Sequence, residues 1–269
     1  MVRPRLPPSL PRRLLQTRSY SALKVKDTDR VRWLTLSRPE KLNALTLPDL
    51  DAFKSAVDDA NADPSIRAIA VTGEGRAFCA GMDTHVFAGL SVDEALNVIR
   101  KVSNAVGSLR LSPKPTAVAL NGYCIGAAFE MALSADFRVS YHEVQAGLPE
   151  TKVGIPSVVD AALLPHYTGL SLAREMLLTG DLYPVEKIGF VNRFAERQEG
   201  DLERVTMDLL AKVTDLTPTV MKAQKGLNEY WLNHGIQDSI EHSIQVFGEC
   251  FSSPETKAAV DKYNERKKK

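Results

Sequence analysis

Asn121 to Asp136 read NGYCIGAAFEMALSAD, and this stretch sets the frame for the rest of the chain. Asn121-Gly122 is a turn signal. From Gly126 to Ser134 the residues are small or apolar, which predicts a buried helix. One charge interrupts it. Between Lys114 and Asp136 the only charged residue is Glu130. A carboxylate buried without a partner is costly and holds its proton more tightly. The residue types alone also allow a surface helix glutamate, or one paired with Arg138. The helix start after Gly126 matters as well. The first backbone N–H groups of a helix have no partners inside it and carry the positive end of its dipole, so they can hold an oxyanion.

Working outward, Thr116 to Leu120 form a short apolar strand, and Phe137 to Ser140 another. Ile66 to Thr72 is a β-branched run of the kind buried on both faces of a sheet. Val31 to Leu36 alternates like a strand. Between these lie helical patterns. One starts at Leu47-Pro48-Asp49, with Leu50, Phe53, Ala56 and Val57 on one face; another covers 91–110 and is stopped by Pro113 and Pro115. Leu170 to Leu178 and Val185 to Ile188 suggest two more, divided by Gly180. A β-β-α unit recurs near 31–60, 66–110 and 116–135. From about Asp201 strand signals vanish and the chain reads as helical. The expected fold is α/β, with a core over 23–200 and a helical C-terminal region over 201–269.

Two further stretches draw interest. Gly75-Arg76-Ala77-Phe78-Cys79-Ala80-Gly81-Met82-Asp83 follows a strand and is rich in small residues, which let a ligand approach the backbone. It fits neither GxxxxGK[ST] nor GxGxxG, and by itself reads equally as a plain turn. Leu148-Pro149-Glu150-Thr151-Lys152-Val153-Gly154-Ile155-Pro156 carries a second glutamate that alone reads as a loop residue.

Composition narrows the classes. The 269 residues carry a formal net charge of +1, which gives no global field for nucleic acid or an anionic membrane. No apolar run approaches the ~20 residues of a membrane span. Cys79, Cys124 and Cys250 are far apart and form no metal or disulfide pattern, consistent with a reducing compartment. No metal site and no redox cofactor are implied. The first acid is Asp27, and the preceding residues are basic and Pro-rich at their start, so 1–22 is expected to be a mitochondrial transit peptide. Arg18-Ser19-Tyr20-Ser21 resembles a processing site. Cleavage after Tyr20 would remove five arginines and take the formal charge from +1 to −4. The expected location is the mitochondrial matrix.

The three stretches, taken in order, resemble the signature segments of the crotonase (enoyl-CoA hydratase/isomerase) superfamily. The resemblance starts at Leu36-Ser37-Arg38-Pro39-Glu40-Lys41-Leu42-Asn43-Ala44-Leu45. It continues through 77–83 and 115–122, the Glu130 helix, Asp136 and Pro149-Glu150, and reaches Ser253-Pro254-Glu255. It implies a spiral of ββα turns with a helical C-terminal trimerisation region, hence a homotrimer or a dimer of trimers. It further implies an acyl-CoA substrate whose thioester oxygen is held by the backbone N–H groups of Met82 and Ala127. Lys41, Leu42, Ala44 and Ala80 would hold CoA, and Asp83 would shape that loop. Glu130 and Glu150 would be the acid–base pair of a hydratase that adds water across the 2,3-double bond.

The chain departs from the family where many hydratases have glycines. Here 126–129 is Gly-Ala-Ala-Phe, and Ile155-Pro156 is followed by Ser157-Val158-Val159-Asp160-Ala161-Ala162-Leu163. Asp160 could be a third carboxylate in the site, with a surface or capping role the more ordinary reading. The same oxyanion site could serve a double-bond isomerase or a hydroxyacyl-CoA dehydratase, and a non-catalytic RNA-binding or scaffold homologue is the reading from a different class.

Overall fold

A computed structural model describes residues 18–20 and 22–266. The strands are β1 (Arg18–Tyr20), β2 (Leu23–Thr28), β3 (Val31–Leu36), β4 (Ala68–Gly73), β5 (Ala77–Cys79), β6 (Thr116–Leu120), β7 (Tyr123–Ile125), β8 (Phe137–Tyr141), β9 (Gln145–Gly147), β10 (Tyr183–Pro184) and β11 (Arg193–Ala195). The helices are α1 (Leu47–Ala62), α2 (Val92–Val106), α3 (Ala127–Ser134), α4 (Leu164–Thr179), α5 (Val185–Ile188), α6 (Asp201–Thr214), α7 (Pro218–Asn233), α8 (Ile236–Cys250) and α9 (Pro254–Arg266). No helix among the described residues is long and apolar enough to cross a membrane. The expected transit segment lies outside the described residues, apart from Ala22 and the strand β1, which pairs antiparallel with β2.

Seven strands form the main sheet in the order β1-β2-β3-β4-β6-β8-β11, parallel from β3 onward. A second, four-stranded sheet runs β10-β9-β7-β5. The chain crosses between sheets rhythmically. A main-sheet strand leads to a three-residue strand of the second sheet and then to a helix, as in β4-β5-α2 and β6-β7-α3. This is the expected ββα recurrence, and the α/β fold class holds.

Side-chain alternation explains why the main sheet is buried on both faces. Val31, Trp33, Ala68, Ala70, Ala117 and Ala119 point one way, onto Leu202, Leu209 and Leu210 of α6. Leu34, Leu36, Ile69, Val71, Val118 and Leu120 point the other way, into the larger core with α1, α2 and α3. Alanines on the first face let α6 approach closely. Helices α7, α8 and α9 follow, and α8 leaves Ile236, Ile240, Ile244 and Phe247 exposed along one side.

α3 lies at the centre of this arrangement, and all eight of its residues are buried. Burying side chains such as Phe129, Met131 and Leu133 stabilises by roughly 1.5–3 kcal/mol each, which fixes the helix that carries Glu130.

Candidate active site

Gly126 joins β7 to α3 with φ 59° and ψ −130°, a backbone shape that favours glycine. A Cβ placed there would stand 2.7 Å from Glu150 Oε1, so the second carboxyl lies directly over this residue. Glu150 is in the 3-10 turn Pro149–Val153. Gly81, at φ 88°, is the matching close approach on the β5 side. Its missing Cβ would meet the Ile125 carbonyl at 2.7 Å and the Ala127 nitrogen at 3.5 Å. The two loops carrying Met82 and Ala127 are thereby pressed together.

The orientation of their N–H groups follows from local pairing. Ala127 opens α3, so its N–H has no partner within the helix. Met82 forms a parallel bridge with Leu45. That bridge uses the Gly81 carbonyl and the Asp83 N–H, at 2.8 Å each. The N–H of Met82 itself therefore faces away from Leu45.

A cavity of about 130 Å³ opens between these loops. Ala80, Gly81, Met82, Gly126 and Ala127 line it together with Glu130 and Glu150. The rest of the lining is largely apolar, including Phe87, Ile99, Val102, Ile155 and Val158. Glu130 is 4% exposed, and its carboxyl is pushed up to about 9. Burial is the largest cause, followed by the charges of Glu150 and Asp160, while the backbone N–H groups of Ala161 and Val158 pull the other way. Arg138 does not pair with it; its guanidinium donates to the Phe190 and Ala135 carbonyls at 2.7 and 2.6 Å. Glu150 is also raised, by burial first, against its own backbone N–H and the Ser157 hydroxyl, which donates to Oε2 at 2.8 Å. The two carboxyls thus hold protons more readily than ordinary glutamates, and they line the same cavity as Met82 and Ala127.

Of the residues expected to hold CoA, Ala80 lines the cavity, and Lys41, Leu42 and Ala44 do not. Lys41 is exposed at the end of the turn Pro39–Lys41. Leu42 and Asn43 both have positive φ, 52° and 58°. The Leu42 carbonyl accepts from Ala80 N–H at 2.9 Å, which ties the two loops together. The Ala44 carbonyl accepts from Arg38 at 3.2 Å. The side chain of Asn43 secures the bend by donating to the carbonyls of Glu74, Ala77 and Phe78. Asp83 caps the turn Thr84–Phe87 and holds His85 Nδ1 at 2.7 Å, which lowers its carboxyl below the usual range. Among the described residues, no group of three or more His, Cys, Asp or Glu could hold a metal ion.

With the loops and carboxyls in place, the family follows. The family model described as enoyl-CoA hydratase/isomerase matches residues 27–269. The chain belongs to that family. A crotonyl-CoA hydratase of Syntrophomonas wolfei is 27% identical over 261 residues, 93% of this chain and 97% of that one. The human mitochondrial methylglutaconyl-CoA hydratase is 28% identical over 253 residues, covering 87% of this chain and 74% of its own length. Among solved structures, Pseudomonas aeruginosa DspI superposes with a TM-score of 0.86 at 25% identity, over 93% of this chain and 97% of that one.

One sequence expectation is corrected. Asp160 is neither at the surface nor a cap. It is 6% exposed, accepts from the Ser134 hydroxyl at 2.6 Å and faces Arg110 at 3.2 Å. Its charge reaches Glu130. Ser157 was likewise missed as a partner of Glu150. The signal available was two polar residues in an otherwise apolar stretch, but their partners lie elsewhere in the chain.

Proposed function

We propose that this protein is a lyase that hydrates a short 2-enoyl-CoA thioester to the 3-hydroxyacyl-CoA. The observation that carries this reading is the convergence of two proton-holding carboxyls, Glu130 and Glu150, on one small cavity lined also by Met82 and Ala127. Donors fixed in a site that excludes water stabilise the enolate oxygen as it forms. The charge of Glu150 adds to burial in raising Glu130, which makes Glu130 the member that holds the proton. The ionised member takes a proton from water as it attacks Cβ, and the protonated member supplies one to Cα. Dehydration uses the same groups in reverse. This chemistry calls for neither a metal nor a redox cofactor.

The loop of Lys41, Leu42, Ala44 and Ala80 is where the CoA portion would lie, with Asp83 holding the adjoining turn. The exposed apolar side of α8 supports a homotrimer or a dimer of trimers. The basic, acid-free start of the chain supports import into the mitochondrial matrix, with 1–22 removed.

The test is purified protein with crotonyl-CoA, following loss of the conjugated enoyl thioester absorbance and assaying free thiol. Loss of absorbance without thiol release, giving 3-hydroxybutyryl-CoA, supports hydration. Thiol release would point to a thioesterase instead, and CoA binding without turnover would reject hydration of this substrate.

A further inference from the structure

The five residues Ser157 to Ala161 touch both glutamates. Ser157 donates its hydroxyl to Glu150 at 2.8 Å. The N–H groups of Val158 and Ala161 approach Glu130. Between them, Val159 stands at φ 54°, in the left-handed region. A β-branched residue stays there only when its surroundings enforce it. The anchor beside it is Asp160, whose buried carboxylate accepts from Ser134 at 2.6 Å and pairs with Arg110 at 3.2 Å. Ser134 sits four residues after Glu130, on the same face of α3. Arg110 is held in turn by Glu229 of α7.

We infer that Asp160 is a positioning residue, pinned by Arg110 and Ser134, that holds the 157–161 segment against both glutamates and sets a fixed negative charge beside Glu130. It acts through Glu130 and lines no part of the cavity. The placement has an electrostatic consequence. Asp160 favours the protonated form of Glu130, while Ser157 favours the ionised form of Glu150. The Val158 and Ala161 N–H groups of the same segment oppose Asp160 at Glu130, each more weakly than its charge, so Asp160 is the member of the segment that separates the two carboxyls in proton affinity. Of the other elements against α3, β8 brings the Arg138 guanidinium, which is held by the Ala132 and Ala135 carbonyls at the far end of the helix. From α2 come Val102, Ala105 and Val106, and from β7 the Cys124 thiol, which burial keeps protonated.

The inference rests on the hydration reading for its chemical purpose, but its test does not need turnover. The full chain, without ligand, is titrated by infrared spectroscopy. The band of a buried protonated carboxyl is followed with pH and assigned by its loss in Glu130→Gln. In the native protein its midpoint is expected near 9. Asp160→Asn removes the neighbouring charge, so the midpoint should fall by about one unit. Ser134→Ala removes the hydroxyl that shields the Asp160 charge while Arg110 still pairs it, so the midpoint should rise. Opposite shifts support the inference. An unmoved midpoint, or shifts of the same sign, overturns it and leaves Asp160 a purely structural group. Ser134→Ala deletes a single hydroxyl and preserves the test should Asp160→Asn fail to fold. If the native protein does not turn over enoyl-CoA, the hydration reading fails while the infrared titration still decides the role of Asp160.

Discussion

Glu130 and Glu150 face one cavity from two unlike kinds of structure. Glu130 belongs to α3, in which every residue is buried. Glu150 belongs to a 3-10 turn in which none is. Packing fixes the first, because its helix cannot move without opening the core. The second is held by a few discrete contacts: the Ser157 hydroxyl, its own backbone N–H and the space left by the missing side chain of Gly126. Burial is the first cause of the raised carboxyl in both; Glu130 is raised further by neighbouring charges, whereas Glu150 is opposed by individual atoms, its own backbone N–H and the Ser157 hydroxyl.

Four outcomes sharpen or break this contrast, from the largest effect downward. Glu130→Gln and Glu150→Gln should each lower kcat/KM for crotonyl-CoA by roughly 10²–10⁴-fold, since each removes a proton-transfer group. A loss below tenfold in either would remove that residue from the pair. Gly126→Ala should cost roughly 10²-fold with the fold retained, because a methyl group 2.7 Å from Glu150 Oε1 must displace that carboxyl. Circular dichroism separates this from unfolding, and unchanged kinetics would mean that Glu150 has room to spare.

Ser157→Ala should have a smaller effect. The hydroxyl favours the ionised form of Glu150, so its loss moves the acid limb of the pH profile upward and lowers kcat/KM on that limb roughly fivefold. A limb that stays in place would mean that Ser157 is only a neighbour. The smallest effect is on stability. The folded carboxyl of Glu130 is near 9, far above its ordinary 4.5, so the native state binds the extra proton between those values. The stability cost of this group grows as pH rises through that window. Glu130→Gln should melt with the native protein at pH 4 and several degrees above it at pH 9. An equal gap at both pH values would show that ionisation is not the cause.

The same contrast governs what could be read from sequence. Glu130 was legible because it is a lone charge in an apolar run, and burial leaves that pattern. β3 was legible by its alternation, β4 and β6 as apolar runs of five or six residues, and β8 as a short strand after them. β5, β7 and β9 were not, since three residues carry no periodicity. Their place in the fold comes from pairing with each other in the second sheet. Glu150 looked like an ordinary loop residue until the other segments were set beside it. For Asp160 the surface or capping reading was preferred over a third carboxylate because its burial depends on Arg110 and Ser134, and no local pattern announces such a tertiary ion pair.

The central claim is that Glu130 and Glu150 work as one acid–base unit on one water. Its most direct test measures hydration of crotonyl-CoA by Glu130→Gln, Glu150→Gln and the double variant under one set of conditions. A unit is already disabled by losing either member, so the double variant should be no slower than the slower single within about threefold. A double variant whose loss is the product of the two single losses would contradict the account, because the two carboxyls would then contribute independently.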